Sequence, residues 1–510
     1  MDISIKNNNA VYSVVECDDG IAQDLTDYFT FEAPGARYII ARAKKYERET
    51  GKKNKFYKWD GKIHLFSKKT NRIYAGLDER IRQFAEERDL SFQAPLKTKN
   101  PFTKEEARRF IESLDIPEKF KERYYQIDTF IEAVQNRRML ILSPTSSGKS
   151  MMIYFLTRWY LQDATKRVLI IVPSIGLVNQ MHTDFVDYGY EESLVYRIMG
   201  GMPKDATPRV YISTWQSIYD LPSDYFLQFG TVICDEVHGA EAKSIKGIME
   251  KLTDCHHRFG FTGTLKDTLC HRLVLEGLFG SVYQAITTKE LIEQGYASDL
   301  KIKCLLLKHS AENAKKVSRA TYAEELKYIV DNNPRNEFIK NLTLSLKGNI
   351  MVLFRLVEEH GRVLYSLIKN QTNQPVYFIS GATPGEEREQ IRKIVNSEQN
   401  AILIGSVGCI STGINIPNIH NIVFASPYKS RIRVLQSIGR GLRLSDRDLT
   451  VYDIADDLSY KRHQNFSLLH FVERVKIYNE EKFDYKVYRI DLKNAELSRQ
   501  GKILSGGSEV

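Results

Sequence analysis

From about residue 103 onward the chain alternates between short apolar runs and longer amphipathic stretches. Arg138–Leu142, Val168–Val172, Val210–Ser213, Thr231–Cys234 and Phe259–Thr262 are β-branched or apolar, and each stops at Pro, Gly, Ser, Thr or Asp. That is the pattern of strands buried on both faces. Stretches of helical length separate most of them, so the pattern predicts a parallel α/β sheet. The alternation restarts after Lys301, with Asn349–Phe354, Val376–Ile379, Ala401–Ile404 and Ile422–Ala425. Two α/β layers in tandem are expected.

The first hundred or so residues are different. Between Arg37 and Arg72 thirteen Lys and Arg residues, Lys52, Lys53, Lys55 and Lys58 among them, meet only Glu47, Glu49 and Asp60. Such a segment neutralises phosphates without reading sequence. Its aromatics Tyr38, Tyr46, Phe56, Tyr57 and Phe66 are placed to stack on exposed bases, while Trp59 is expected in a small local core. Asp89–Pro101 reads as the linker out of this module. The expected boundaries are therefore 1–96 for a small basic α+β domain, 97–297 for the first α/β domain and 298–510 for the second, which ends in a helical C-terminus. The basic module is expected to be removable without loss of basal activity.

Composition narrows the class. The 510 residues are 42% hydrophobic and 27% charged, with 73 Lys+Arg against 64 Asp+Glu for a net charge of +9. This is a globular composition with a mild basic excess that admits a polyanionic partner. The six cysteines are scattered without a C-x-x-C pair, which reads as reduced and intracellular. The opening MDISIKNNNA lacks the basic and apolar regions of a signal peptide. No apolar run approaches the ~18 residues of a membrane span, so a cytoplasmic protein without a membrane partner is expected. No heptad run stands out, and a monomer is expected.

Candidate chemistry begins at Ser143-Pro-Thr-Ser-Ser-Gly-Lys-Ser150, between a strand and an apolar helix. A loop there turns backbone N–H groups and the positive end of the helix dipole toward phosphate oxygens. Thr145, Ser146, Ser147 and Gly148 would form the cradle. Lys149 would reach the β- and γ-phosphates of ATP, and the Ser150 hydroxyl would hold Mg2+. Ser143 stands where the strict G-x-x-x-x-G-K-[ST] pattern has glycine. Downstream, Thr231–Cys234 ends in Asp235 and Glu236. An acid at a strand tip holds the metal, and its neighbour polarises the attacking water; Asp235 takes the first role and Glu236 the second. The two motifs together predict nucleotide hydrolysis.

The order of motifs resembles that of the superfamily 2 helicases and translocases. Asp235-Glu-Val-His238 resembles the DExH box, Val172–Gln180 motif Ia, Ser213–Gln216 motif Ib, Phe261-Thr-Gly-Thr264 motif III and Gly408–Pro417 motif V. Gln436-Ser-Ile-Gly-Arg440-Gly-Leu-Arg443 resembles motif VI. The likeness runs from about Arg123 to about Asp453, roughly two thirds of the chain. It implies two tandem RecA-like parallel-sheet domains forming a P-loop NTPase motor. Arg440 and Arg443 are then the arginine fingers, as a γ-phosphate in flight needs cations beyond the P-loop. Gln436, Gly413 and Asn415 join the nucleotide site, Gln126 reads the adenine edge, and Arg123 or Tyr125 packs on the ring. Nucleic acid is expected at Thr214, Gln216, Ser380, Gly381 and Thr412, where short hydroxyls and N–H groups hold phosphates. Asn415 departs from the Asp common in motif V, and His238 separates the chain from the DEAD-type RNA helicases.

Within the superfamily, the chain most resembles the UvsW-type recombination helicases of tailed phages. The features are P-T-S-S-G-K-S in the P-loop, the basic module ahead of the motor, Lys58-Trp-Asp-Gly-Lys-Ile63 and Tyr478-Asn-Glu-Glu-Lys-Phe483. The resemblance implies an ATP-dependent DNA helicase acting on forks and junctions in recombination, repair and replication restart. A single-strand-binding protein is an implied partner, and the cytoplasm of an infected bacterium the implied location. Three other readings stay open: a duplex-DNA translocase without strand separation, an RNA or RNA–DNA helicase, and a nucleotide-gated junction clamp. The intact Lys149, Asp235, Glu236, Arg440 and Arg443 weigh against the clamp.

Overall fold

The structure is a computed structural model. It describes residues 1–492 except 34, 53–55, 57, 96–98, 238–241, 266–268, 412–417, 429, 431–433, 436 and 440–447. The chain divides into two compact units, Met1–Ser143 with Gly148–Ala285, and Pro144–Ser147 with Ile286–Val510.

The first unit is built on a seven-stranded parallel sheet. Its order is Val282–Gln284, Arg138–Leu142, His257–Thr262, Phe229–Cys234, Arg167–Val172, Val210–Thr214, Val195–Ile198. Every residue of Phe229–Cys234 is buried, as the unbroken apolar run requires. One face is covered by the helices Tyr124–Asn136, Lys149–Tyr160 and Ile175–Asp187, whose Phe130, Phe155 and Phe185 fill the core with Ile141, Ile170 and Ile233. The second unit repeats the design, in the order Val376–Ile379, Ile402–Ser406, Ile350–Phe354, Asn421–Phe424, Leu449–Asp457, Leu300–Lys308, Tyr485–Asp491, again all parallel. The two tandem RecA-like sheets are those the pattern predicted. Leu300–Lys308 and Tyr485–Asp491 join them as further strands; the second follows the helix Phe466–Glu480.

That helix is pinned to the second sheet by a fully buried ion pair. Arg474 Nε and Nη2 lie 2.8 and 2.7 Å from the two Asp453 carboxylate oxygens. Tyr478 Oη donates to Asp453 Oδ2 at 2.8 Å, and Arg474 Nη1 to the Tyr428 carbonyl at 2.7 Å.

The N-terminal module is a four-stranded sheet, ordered Arg72–Tyr74, Tyr12–Glu16, Ile3–Asn7, Phe92–Gln93. The last strand pairs in parallel with Ile3 and Ser4. The expected linker at Asp89–Pro101 therefore contains a piece of the sheet. The module does not hang free. Ile3, Val15, Phe66, Leu77 and Phe84 form one continuous core with Leu169, Val232, Leu273 and Leu278 of the parallel sheet and its helices. Gly76 abuts the helix Leu269–Phe279 so closely that a Cβ would lie 2.1 Å from the Glu276 carbonyl oxygen, and a Cβ on Gly277 would lie 2.8 Å from that of Tyr74. Around this contact the buried Glu276 carboxylate pairs with Arg80 at 2.9 Å and Arg272 at 2.6 Å. Tyr74 and Tyr12 donate to Glu250 at 2.6 and 3.0 Å.

Much of the basic segment is the helix Ala36–Thr50, of which only Ala36 and Ala43 are buried. Tyr38 and Tyr46 are exposed, at 72% and 44%. Two aromatic expectations are corrected. Phe66 lies in the shared core, not on the surface. Trp59 is half-buried rather than core, packed against Phe56 with its indole N–H donating to the Lys62 carbonyl at 3.0 Å.

Candidate nucleotide site and its relatives

The P-loop leaves the strand Arg138–Leu142 and enters the helix Lys149–Tyr160. Ser143 is anchored to the neighbouring strand, its N–H donating to the Thr262 carbonyl at 2.9 Å. Gly148 caps the helix at φ 74°, a left-handed conformation that a side chain would strain. A Cβ there would also meet Gln126 Nε2 at 2.4 Å. Ser147 is buried and its hydroxyl donates to the Pro144 carbonyl at 2.6 Å.

Lys149 Nζ donates to the Ser143 carbonyl at 3.3 Å and lies 3.1 Å from Glu236 Oε1. This bridge joins the two motifs that stand far apart in sequence. Their strands are separated in the sheet only by His257–Thr262. Asp235 is held by its own N–H on the Ile171 carbonyl at 2.8 Å, and its carboxylate accepts from the Glu236 N–H at 2.9 Å. Glu236 adopts φ 51°, left-handed for a residue with a side chain, and strain of this kind gathers at functional turns. Loss of hydration and the adjacent Glu236 push the Asp235 carboxyl up to about 7, against the pull of Lys149. Two carboxylates crowded at a strand tip are oxygen donors of the kind that suit a small divalent cation.

The remaining predicted residues fall into three groups. Gln126 is buried: its Oε1 accepts from Arg123 N–H at 2.8 Å and its Nε2 donates to the Gly148 carbonyl at 3.4 Å. Arg123 turns its guanidinium to Tyr125 Oη at 2.9 Å. Thr214 is also buried, its hydroxyl 3.0 Å from Ser217 Oγ, whereas Gln216 is exposed. Ser380 is buried in a turn closed by Thr383, while the exposed Gly381 accepts from Arg388 at 2.9 Å. Lys52 and Lys58 are exposed. Lys53, Lys55, His238, Thr412, Gly413, Asn415, Gln436, Arg440 and Arg443 lie outside the described residues.

Sequence reasoning missed Tyr188, whose hydroxyl lies 2.8 Å from Ser150 Oγ. In the segment resembling motif III, the Thr262 hydroxyl donates to the Thr264 carbonyl at 2.8 Å and stiffens the turn beside the P-loop.

A parallel sheet with a P-loop on one strand and an acid pair two strands away defines a P-loop motor of the helicase class. Three family matches follow the chain in order: "DNA helicase UvsW, N-terminal" at residues 2–94, "Type III restriction enzyme, res subunit" at 104–267 and "Helicase conserved C-terminal domain" at 334–445. The ATP-dependent DNA helicase uvsW of Enterobacteria phage T4 is 32% identical over 520 residues, covering 96% of this chain and 100% of the relative. The crystal structure of T4 UvsW superposes with TM-score 0.50 at 31% identity, over 96% of this chain and 100% of that one. The chain belongs to the UvsW family of helicases. Dbp5 of S. cerevisiae, solved with RNA and ADP BeF3, has TM-score 0.53 at 15% identity over 76% of this chain and 97% of its own, a likeness of fold alone. No helix among the described residues is long and apolar enough to cross a membrane.

Proposed function

We propose that this chain is an ATP-dependent DNA helicase that opens or migrates branched DNA, at forks and junctions, in recombination, repair and replication restart. The observation that supports it is the fusion of a basic module to the ATP-site unit through one core, with the helix Ala36–Thr50 and its tyrosines left exposed. A module so joined moves with the unit that holds Lys149, Asp235 and Glu236. Phosphate contacts from Lys52, Lys53, Lys55 and Lys58 hold the duplex without reading sequence. Tyr38 and Tyr46 offer ring faces to bases unpaired at a branch.

The P-loop backbone and Lys149 bind the ATP phosphates. Ser150 and Asp235 would hold Mg2+, which neutralises charge on the transferred phosphoryl group when bound. Glu236 orients the attacking water, and Arg440 and Arg443 add positive charge at the γ-phosphate. Lys149 lies 3.1 Å from Glu236 Oε1, so a triphosphate competes with the carboxylate for the ammonium and leaves Glu236 to the water. Exposed Gln216 and Gly381 take phosphate contacts, whereas buried Thr214 and Ser380 shape the loops. The protein acts as a monomer in the cytoplasm of an infected bacterium, with a single-strand-binding protein on the released strand.

The test is ATP-dependent strand displacement on a forked duplex, a four-way DNA junction, an RNA–DNA hybrid and a blunt duplex. Conversion of the fork and junction, with little action on the blunt duplex, is expected. ATP turnover stimulated by duplex without any strand separation would replace this reading with a translocase.

A further inference from the structure

Ser150 carries one hydroxyl proton and two lone pairs. To ligate a cation it must present a lone pair and send its proton elsewhere. Tyr188 Oη lies 2.8 Å from Ser150 Oγ and is placed to take that proton. Tyr188 closes the helix Ile175–Asp187, which begins within the segment resembling motif Ia, and its ring is nearly buried. Contacts independent of the hydroxyl fix the ring: Phe120 edge-on at 5.1 Å and Tyr154 at 5.3 Å. The Tyr188 carbonyl also accepts from Tyr154 Oη at 3.5 Å. Phe120 lies just ahead of the Arg123–Gln126 element and Tyr154 one turn beyond Ser150, so the tyrosine is held by the walls of the nucleotide site itself.

We propose that Tyr188 is a positioning residue for Ser150: its hydroxyl accepts a hydrogen bond from the Ser150 hydroxyl and leaves an Oγ lone pair free for the Mg2+ that accompanies a bound nucleotide. This rests on Ser150 as a metal ligand. The arrangement predicts that Tyr188 contributes to nucleotide affinity only when the metal is present. A residue with a merely structural role would weaken binding with and without the metal alike.

The test uses the full chain and a fluorescent N-methylanthraniloyl-ADP, titrated in saturating Mg2+ and again in EDTA. Tyr188→Phe keeps the ring and removes the oxygen, and its unfolding temperature is measured alongside. The expected result is binding weakened about five- to tenfold in Mg2+, the worth of one hydrogen bond, and within about twofold of the parent in EDTA. Equal weakening in both conditions, or none in either, overturns the inference. Ser150→Ala separates the two layers. If it abolishes the Mg2+ dependence while Tyr188→Phe leaves it intact, the positioning role fails and the metal ligand stands. If Ser150→Ala leaves the Mg2+ dependence whole, the metal assignment fails and the inference falls with it.

Discussion

Gly76→Ala is a one-methyl probe of the joint between the basic module and the motor. The backbone of Gly76 is not left-handed, so alanine brings no conformational strain; the whole effect is steric. The added carbon would sit 2.1 Å from the Glu276 carbonyl oxygen and 2.6 Å from that of Gly277. Comfortable carbon contacts begin near ~3.5 Å, so the two elements must part by about an ångström. The obstructing atoms are helix backbone and cannot rotate aside. Overpacking of this kind costs ~1–3 kcal/mol, and rigid backbone on both sides places this case at the upper end. Parting the elements also loosens the Glu276 pairs with Arg80 and Arg272 and pulls Tyr74 from Glu250. At roughly 2–4 °C per kcal/mol for a unit of this size, the first unit should melt about 5–10 °C lower. Differential scanning fluorimetry reads the shift, and limited proteolysis reads whether the segment between module and motor becomes susceptible. Gly385→Ala, where a Cβ meets nothing within 4 Å, is the control and should leave the melt unchanged or slightly raised. A Gly76→Ala protein melting within about 1 °C of the parent, with unchanged proteolysis, would refute the tight joint.

Other expectations follow from the same geometry. Deleting residues 1–96 uncovers Leu273, Leu278 and their neighbours in the shared core, so the truncated chain should aggregate on expression; a soluble, monodisperse product with parental ATPase would restore the separable module. Asp453→Asn leaves Arg474 buried without its full counter-charge and should cost ~3–5 kcal/mol, seen as a lower melting temperature of the second unit while the first is unaffected. Burial and the nearby Arg335 hold the His360 imidazole down at about 3, with Asp456 opposing. Its folded value lies below the ~6.5 of an unfolded chain, so its contribution is complete above pH ~6.5 and is lost as pH falls toward 3, by ~1.4 kcal/mol per pH unit. His360→Gln should therefore flatten the fall in melting temperature between pH 6.5 and 5; an identical slope in both proteins would contradict it.

The two motifs of the candidate ATP site are legible because each is local. Ser143–Ser150 and Asp235–Glu236 each need a few adjacent residues at a strand end, and the buried strands beside them announce themselves as unbroken apolar runs. Leu300–Lys308 is less legible because Lys301 and Lys303 interrupt its apolar run and leave a period-two alternation as its signal. The joint at Gly76 and Glu276 was illegible for a different reason. Its partners are some two hundred residues apart, and nothing in the local pattern of either marks a close approach. Thr214 and Ser380 are ambiguous in the sequence: a hydroxyl at a strand end serves phosphate binding or turn closure equally well, and the fold shows both buried and bonded locally. Tyr188 falls between these cases. It looks like ordinary core from the sequence, and most of its ring is core; its function lies in the single oxygen that reaches Ser150.

The most direct test of the account is DNA-stimulated ATP hydrolysis by the parent and by Lys149→Ala. The ammonium lies against the Ser143 carbonyl and the Glu236 carboxylate, from which the proposed function draws it to the phosphates. The account predicts a folded variant that binds forked DNA as the parent does and shows no turnover above background. Turnover retained near the parental rate would place ATP hydrolysis elsewhere and contradict the site.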